Sequence, residues 1–332
     1  MTGATDGRRA AEPDDELILA LDIGGTKLAA GLVTPDGRLL RSGREPTRVV
    51  EGPDVVIAQL VALGRHVCGD AHPALIGVGC GGPLDAQRGI VRQPLNLPGW
   101  IDVPLVAQLE AAFDLPVYLD NDANAAARGE HRWGAGRGTR NMVYLTVSTG
   151  IGGGVIADGR LLWGETGNAA ELGHVSVSYD GWPCVCGRRG CPEAFASGTN
   201  IAARARAAVA AGEPSSLSAL PAEQITAEAV SEAARAGDAL AVRTWDETME
   251  VLGAAVANVL NTFEPELVVI GGGVTRAGEL FFDPIRRRAL TLALPPQRRA
   301  RIVPAELGDD TGILGAAAVA LERQQAPEAL HA

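Results

Sequence analysis

No run of apolar residues in this 332-residue chain is long enough to span a bilayer, and the first sixteen residues, MTGATDGRRAAEPDDE, lack the apolar segment of a secretory signal. Membrane insertion and export are disfavoured on that ground, and the cytoplasm is the expected compartment. Positive charge is short as well. A net charge of −11 leaves no basic stripe to displace counterions from nucleic acid, so neither nucleic acid nor membrane is expected as a partner. Five cysteines are too few for a disulfide scaffold in so long a chain, and a reducing compartment keeps thiols unpaired. The familiar nucleotide fingerprints are missing too. Neither of two Gly-rich turns, LDIGGTK and STGIGGG, has dinucleotide-loop spacing, and no lysine precedes Ser or Thr as in a P-loop. A Rossmann dehydrogenase and a P-loop enzyme are therefore disfavoured.

What is present is concentrated. Cys184, Cys186 and Cys191 fall within eight residues, with Gly187 and Gly190 between them to turn the sulfurs inward, and His174 stands ten residues upstream. One imidazole and three thiolates form a structural zinc set, since Zn²⁺ takes both ligand types in a closed tetrahedron. Cys68 and Cys80 stand apart and read as core residues, because free Cys packs as a small hydrophobe. Glu171 and Glu193 flank the cluster without belonging to it, and are placed to hold polar groups of a ligand.

The forty-two glycines gather at strand ends, which directs attention to backbone turns. LILALDIGGTKLAAGLVTPDGRLLRSGREPT reads as apolar run, glycine turn, apolar run, Pro-Asp-Gly turn and a third run. Residues 142–164, MVYLTVSTGIGGGVIADGRLLWG, repeat that pattern. Two such units, each followed by helices and further strands, predict a duplicated α/β architecture with a cleft between the halves. Helical spacing is expected over Pro53–Val67 and Val103–Phe113, across most of 199–262 with a break at 212–221, and near Gly312–Arg323. The domain reading is a disordered tail over 1–16, a small domain over 17–120 on which a helix at 311–323 docks, and a large domain over 121–310 carrying the zinc knot.

In LDIGGTK, Asp22 ends a strand and Gly24, Gly25, Thr26 and Lys27 follow; such a turn suits phosphate oxygens, and the carboxylate suits hydrated Mg²⁺. A tight hairpin that merely needs glycine at positive φ is the competing account. Thr149 and Gly150 offer a hydroxyl and an amide in the matching turn of the second half. Asp120, Asn121 and Asp122 begin a helix at a strand end. One of them suffices as a cap, which leaves a carboxylate to accept a hydroxyl proton.

Taken in order, LDIGGTK, LNLPGW, LDNDANAAA, STGIGGG, AAELGH and CVCGRRGCPEAFASG resemble the ROK family of sugar kinases and sugar-responsive repressors, over nearly the whole chain. The resemblance implies an actin-like, ribonuclease H-like fold of two domains closing on ATP and a hexose, and a homo-oligomer, dimer or tetramer. It implies Asp122 as the base for the sugar 6-hydroxyl. Asn121, Glu171, His174 and Glu193 would hold other hydroxyls, His174 using its second ring nitrogen for zinc, and Gly82, Asn96 and Gly150 would border the sugar. Asp22 with Gly24, Gly25, Thr26 and Lys27, and Thr149 with Gly150, would bind magnesium and phosphates, while Gly271 and Gly272 approach the nucleoside. Pro192 and Ala170 depart from the family pattern, and proline is tolerated at a first helical position. Glucose, N-acetylmannosamine and N-acetylglucosamine all fit these motifs as substrates. A sugar-sensing repressor lacks room for its DNA-binding domain, since about twenty residues precede Asp22, and a non-catalytic module is opposed by the presence of both Asp122 and GGTK.

Overall fold

The computed structural model describes residues 16–94 and 96–325; all of the expected N-terminal tail except Glu16 lies outside the described residues. In chain order the elements begin with β1 (Ile18–Ile23), β2 (Lys27–Val33), β3 (Leu39–Pro46), α1 (Pro53–Cys68), β4 (Leu75–Cys80), β5 (Leu84–Asp85), β6 (Ile90–Val91), α2 (Leu105–Phe113), β7 (Val117–Asn121) and α3 (Asp122–Trp133). They continue with β8 (Met142–Val147), β9 (Ile151–Ala157), β10 (Arg160–Leu161), α4 (Pro192–Ala196), α5 (Gly198–Ala210), α6 (Ala227–Arg235), α7 (Ala239–Phe263), β11 (Leu267–Gly271), α8 (Glu279–Leu292), β12 (Arg301–Pro304) and α9 (Thr311–Gln325). They form two compact units. The first takes residues up to Ala125 and returns from Asp310 onward, and the second is Ala126–Asp309.

Each unit is organised around a five-stranded sheet with the same plan. In the first the strand order is β3-β2-β1-β4-β7, antiparallel across β3, β2 and β1 and parallel from β1 through β4 to β7. In the second it is β10-β9-β8-β11-β12, again antiparallel on one side of β8 and parallel on the other. This is the duplicated α/β architecture that the repeated turns predict. Apart from Asp22 near the end of β1, the central strands are apolar because helices cover them, whereas β3 carries Arg41, Arg44 and Glu45 and ends at Pro46, as an edge strand that must not recruit a neighbour.

Local chemistry accounts for the helix bounds. Pro53 opens α1 after Gly52 at φ 89°, and Gly69 at φ 54° closes it. Asp238 caps α7 by accepting from the Ala241 amide, and four further bonds from Ser215 and Ser216 hold its carboxylate, pulling its pKa down to about 2 against desolvation. The second helix starts at Leu105, two residues later than its periodicity suggests, because Val103 pairs with Val91 as a β-bridge. The stretch 199–262 divides into three α-helices, with a second break at 236–238, before the Asp238 cap of α7, that its alanine-rich composition conceals. Cys68 and Cys80 are buried, and desolvation raises both thiol pKa values.

In the second unit the core lies between the sheet and α5–α8, with Trp245 and Phe281 among its largest fully buried side chains. Buried Glu130 on α3 accepts from the backbone amides of Ala135, Glu306 and Leu307 and so fastens the segment that leads towards α9. Among the described residues no helix is long and apolar enough to cross a membrane.

Candidate active site

In the first unit the parallel strands deliver their polar residues to one end of the sheet. Asp22 on β1 pairs with Gly79 on β4, which pairs with Asp120 on β7. Gly79 leaves the space between open: a Cβ there would lie 3.8 Å from Asp22 Oδ1 and 3.8 Å from the Asp122 Cα. The three polar residues of LDND then divide the work. Asp120 is fully buried and accepts from the Asn121 amide and from Asn124 Nδ2. Asn121 caps α3, its Oδ1 accepting from the Ala123 amide at 2.9 Å. Asp122 stands at the first helical position with its carboxylate presented to solvent on one side.

Electrostatics set Asp22 and Asp122 apart from ordinary carboxylates. Burial, followed by repulsion from Asp122, lifts the Asp22 pKa to about 7, with Lys27 and Arg44 pulling the other way. Asp122 is raised as well, chiefly by desolvation, while hydrogen bonds from the Ala123 amide and from its own limit the rise. Two carboxylates of raised pKa brought to one end of the sheet call for a cation or a bound proton.

The GGTK turn closes through the Gly24 amide donating to the Lys27 carbonyl, and Thr47 secures it by donating its hydroxyl to the Gly24 carbonyl at 2.7 Å and its amide to the Thr26 carbonyl. Neither Gly24 nor Gly25 has positive φ. The hairpin account of these glycines therefore fails, and the physical reason for Gly25 is crowding by Asn96, whose carbonyl oxygen occupies the place of a Cβ and whose own Cβ lies at 3.0 Å. Asn96 reaches from there to Gly81, next to the cis Gly82-Pro83 bond, with its amide 3.0 Å from a Cβ position. Thus Gly25, Gly81 and Asn96, scattered in sequence, are neighbours, and Gly82 follows directly on Gly81. Lys27 is the only lysine of the chain. Its compact, mobile ammonium differs from the planar fork that the many arginines would supply.

The second unit assembles another group. The Thr149-Gly150 turn is closed by the Ser148 amide donating to the Gly150 carbonyl, and Thr199 Oγ1 donates to the Thr149 carbonyl. Gly150 is required because Glu193 lies against it: Oε2 is 2.7 Å from a Cβ position and accepts from the Ile151 amide at 2.8 Å. Leu172 and Gly173 press onto β9 at Gly153 and Ile151, which brings Glu171 and His174 to the same place. Ala170, where the family pattern has glycine, is held at φ 64°, a conformation costing roughly 1 kcal/mol for a residue with a Cβ.

His174 looks both ways. Its Nε2 lies 3.7 Å from Glu193 Oε1 and its Nδ1 lies 3.6 Å from Cys184 Sγ. Cys186 and Cys191 sulfurs are 3.6 Å apart, and all four ligand atoms lie within 4.8 Å of one another. Ligands 2.0–2.3 Å from one tetrahedral centre stand roughly 3.3–3.8 Å apart, so the set fits zinc. Burial pushes the Cys184 thiol up to about 12. Cys186 falls to about 6, since hydrogen bonds from Arg188 and the other two thiols outweigh desolvation. Gly187 at φ 85° and Gly190 at φ 75°, the latter pressed against the Ser178 carbonyl, make the turns that the sequence assigns to them. Pro192 takes the first turn of α4 immediately after Cys191, which leaves Glu193 next to the knot. Asn200 donates to the Glu193 carbonyl, and Arg204 stacks 3.7 Å above Phe195, fixing α4 from its other side.

A cavity of about 460 Å³ opens beside this turn, bordered by Ser148, Thr149, Gly198, Thr226, Gly273 and Arg276. Its wall begins at Gly273. Gly271 packs against the Tyr144 hydroxyl and Gly272, at φ 93°, against the Val147 carbonyl, so these two shape the wall from behind. The α6 side of the cavity escaped the sequence reading, for TAEAVSEAAR carries only the marks of an amphipathic helix capped by Thr226.

A pair of like-built sheets, a glycine turn and a carboxylate at the end of the first strand, and a second turn beside a cavity define an actin-like ATPase fold of ribonuclease H type, here with a Cys₃His cluster. The chain belongs to the ROK family, whose model matches residues 18–323. It is 40% identical to a glucokinase of Thermotoga maritima, covering 92% of this chain and 98% of that protein, and 37% identical to an N-acetylmannosamine kinase of Citrobacter koseri, covering 91% and 98%. Among solved structures it resembles a ROK family glucokinase from Streptomyces griseus in complex with glucose and AMPPNP, with a TM-score of 0.81, 36% identity and coverage of 92% and 99%.

The Cys₃His geometry leads to a direct test. Elemental analysis of protein purified without added metal is expected to find one zinc per chain, and Cys184→Ser to lose both the metal and sugar affinity because the knot holds Glu193. Full activity of zinc-free protein would overturn the ligand assignment.

Proposed function

We propose that the chain is an ATP-dependent hexose kinase of the cytoplasm that transfers the γ-phosphoryl group of ATP to the 6-hydroxyl of glucose. The observation that carries this reading is the convergence of two carboxylate residues beside Gly79 at one end of the first sheet, Asp22 at the end of β1 and Asp122 at the start of α3. Asp122 accepts the 6-hydroxyl proton as the phosphoryl bond forms, and its raised pKa keeps it basic enough for the task. Repulsion from Asp122 adds to the proton affinity of Asp22, and the two form a donor set that fits a divalent cation. Asp22 would hold it, and magnesium there supplies charge neutralisation for the phosphates. Lys27 and the backbone of the GGTK turn add positive charge beside it.

Asn121, Glu171, His174 and Glu193 hold the remaining hydroxyls, and Gly82 and Asn96 border the sugar. Once its Oδ1 is committed to the cap, Asn121 offers its amide as a donor. Thr149 and Gly150 meet phosphate, and the neighbouring cavity takes the nucleoside, with Gly271 and Gly272 behind its wall. Zinc at His174, Cys184, Cys186 and Cys191 would have a structural role, holding His174 so that Nε2 faces the ligand.

Glucose is named because relatives of that activity cover nearly the whole chain. N-acetylmannosamine is the second reading, since kinases of that sugar stand close behind in identity. ADP release measured over glucose, mannose, fructose, N-acetylglucosamine and N-acetylmannosamine is expected to be fastest with glucose. A faster rate with N-acetylmannosamine would favour the second reading, and none with any sugar would remove the catalytic one.

A further inference from the structure

Helix α9 reaches the first unit from almost 190 residues away along the chain, and its first half meets three strands with almost no intervening side chain. Ile313 fills the space left by Gly31 on β2. The Ala316 carbonyl lies over Gly77 on β4, its carbon 2.7 Å and the Ala320 Cβ 3.1 Å from where a Cβ would stand. Between these contacts, Gly312 faces Asp22. A Cβ at position 312 would fall on Oδ2 of that carboxylate, 2.6 Å from its Cγ and 3.2 Å from Oδ1.

The three contacts differ in what can yield. Ile313, Ala316 and Ala320 are fully or almost fully buried, so lifting α9 to make room at 312 would strip an entire apolar face from the sheet. The start of the helix is also anchored, by the ion pair of Asp310 with Arg44 on β3. The Asp22 carboxylate, in contrast, is the free end of a short side chain and can turn. A methyl group at 312 would therefore leave the helix in place and move the carboxylate.

We propose that Gly312 is a positioning residue of the phosphoryl-transfer site, whose bare Cα sets the orientation of the Asp22 carboxylate. The inference rests on the reading of Asp22 as the metal-holding group. A displacement of about 1 Å at such a group costs up to roughly a hundredfold in rate. The role is distinct from helix stability, because alanine is the better helix former and pushes stability the other way.

The test compares Gly312→Ala and Gly312→Ser with Asp22→Asn in the full chain. Both Gly312 variants are expected to lose about 10- to 100-fold in kcat, and to bind Mn²⁺ more weakly in the ADP complex by electron paramagnetic resonance. Glucose affinity by calorimetry is expected within about twofold of the parent, with an unlowered melting temperature. Parental turnover and Mn²⁺ affinity in Gly312→Ala would overturn the proposal, as would equal losses of glucose affinity and thermal stability. Parental Mn²⁺ affinity in Asp22→Asn would overturn the metal reading itself, and the proposal with it.

Discussion

Asp122→Asn is expected to lower turnover by at least about a hundredfold while most sugar affinity survives. The amide keeps the size of the carboxylate and can still accept from the Ala123 amide, so α3 and its cap at Asn121 remain intact. What disappears is proton acceptance. The variant should also show it in its pH profile. The Asp122 charge is one source of the raised Asp22 pKa, so the acid limb of kcat/KM in the parent is expected to carry both groups. Removing the charge at 122 removes one source of the upward shift at Asp22, and the residual acid limb is expected to move to lower pH. Parental turnover, or an acid limb that stays in place, would mean that another residue takes the proton.

Asp22→Asn is expected to do two opposite things: to abolish most activity and to stabilise the protein at alkaline pH. The folded state holds Asp22 at about 7, against an ordinary 3.8. Between those values the folded chain keeps a proton that the unfolded chain has released, so this group's contribution to stability is greatest below about pH 4. It declines as pH rises to about 7 and is flat above. Asparagine has no such decline. The gain is bounded at about 4 kcal/mol at pH 8, and solvent access to the half-buried group reduces it. Melting temperatures of the two proteins at pH 5 and pH 8, without magnesium, check the sign. A gain no larger at pH 8 than at pH 5 would show that burial and the Asp122 charge do not raise Asp22 in the folded state. The trade follows from what the site does, since a carboxylate that waits for a metal is costly until the metal arrives.

The parts of this architecture that were legible in the sequence are those written in short, local patterns. The repeated strand-turn-strand units announce two like sheets because glycine and Asp-Gly turns punctuate apolar runs at similar spacing. The Cys₃His cluster is legible because metal chemistry restricts ligand type and number. A cap among Asp120, Asn121 and Asp122 follows from the strand-to-helix junction, and Asn121 provides it.

Other features depend on where the chain returns in space. Nothing in LDIGGTK tells that Gly25 must admit the Asn96 backbone, and nothing in DDTGILGAA tells that Gly312 lies on Asp22. A glycine looks the same in sequence whether it serves a positive φ or a close approach. The α6 wall of the cavity was hidden for the same reason, because an amphipathic helix shows which face is apolar and not what its polar rim borders.

The route of the chain through the first unit has a consequence for its birth on the ribosome. Sheet β3-β2-β1-β4-β7 is complete by Asn121, but α9, which covers β1 and β4, is made only after all of 126–309. At roughly 5–20 residues per second, the uncovered face of that sheet waits on the order of ten to forty seconds during synthesis, long enough to favour chaperone capture. The second unit is continuous and can fold on emergence. The polypeptide made first is therefore the last to reach its native packing, and a nascent chain stalled near residue 309 should present a finished second unit beside a first unit still open to proteases.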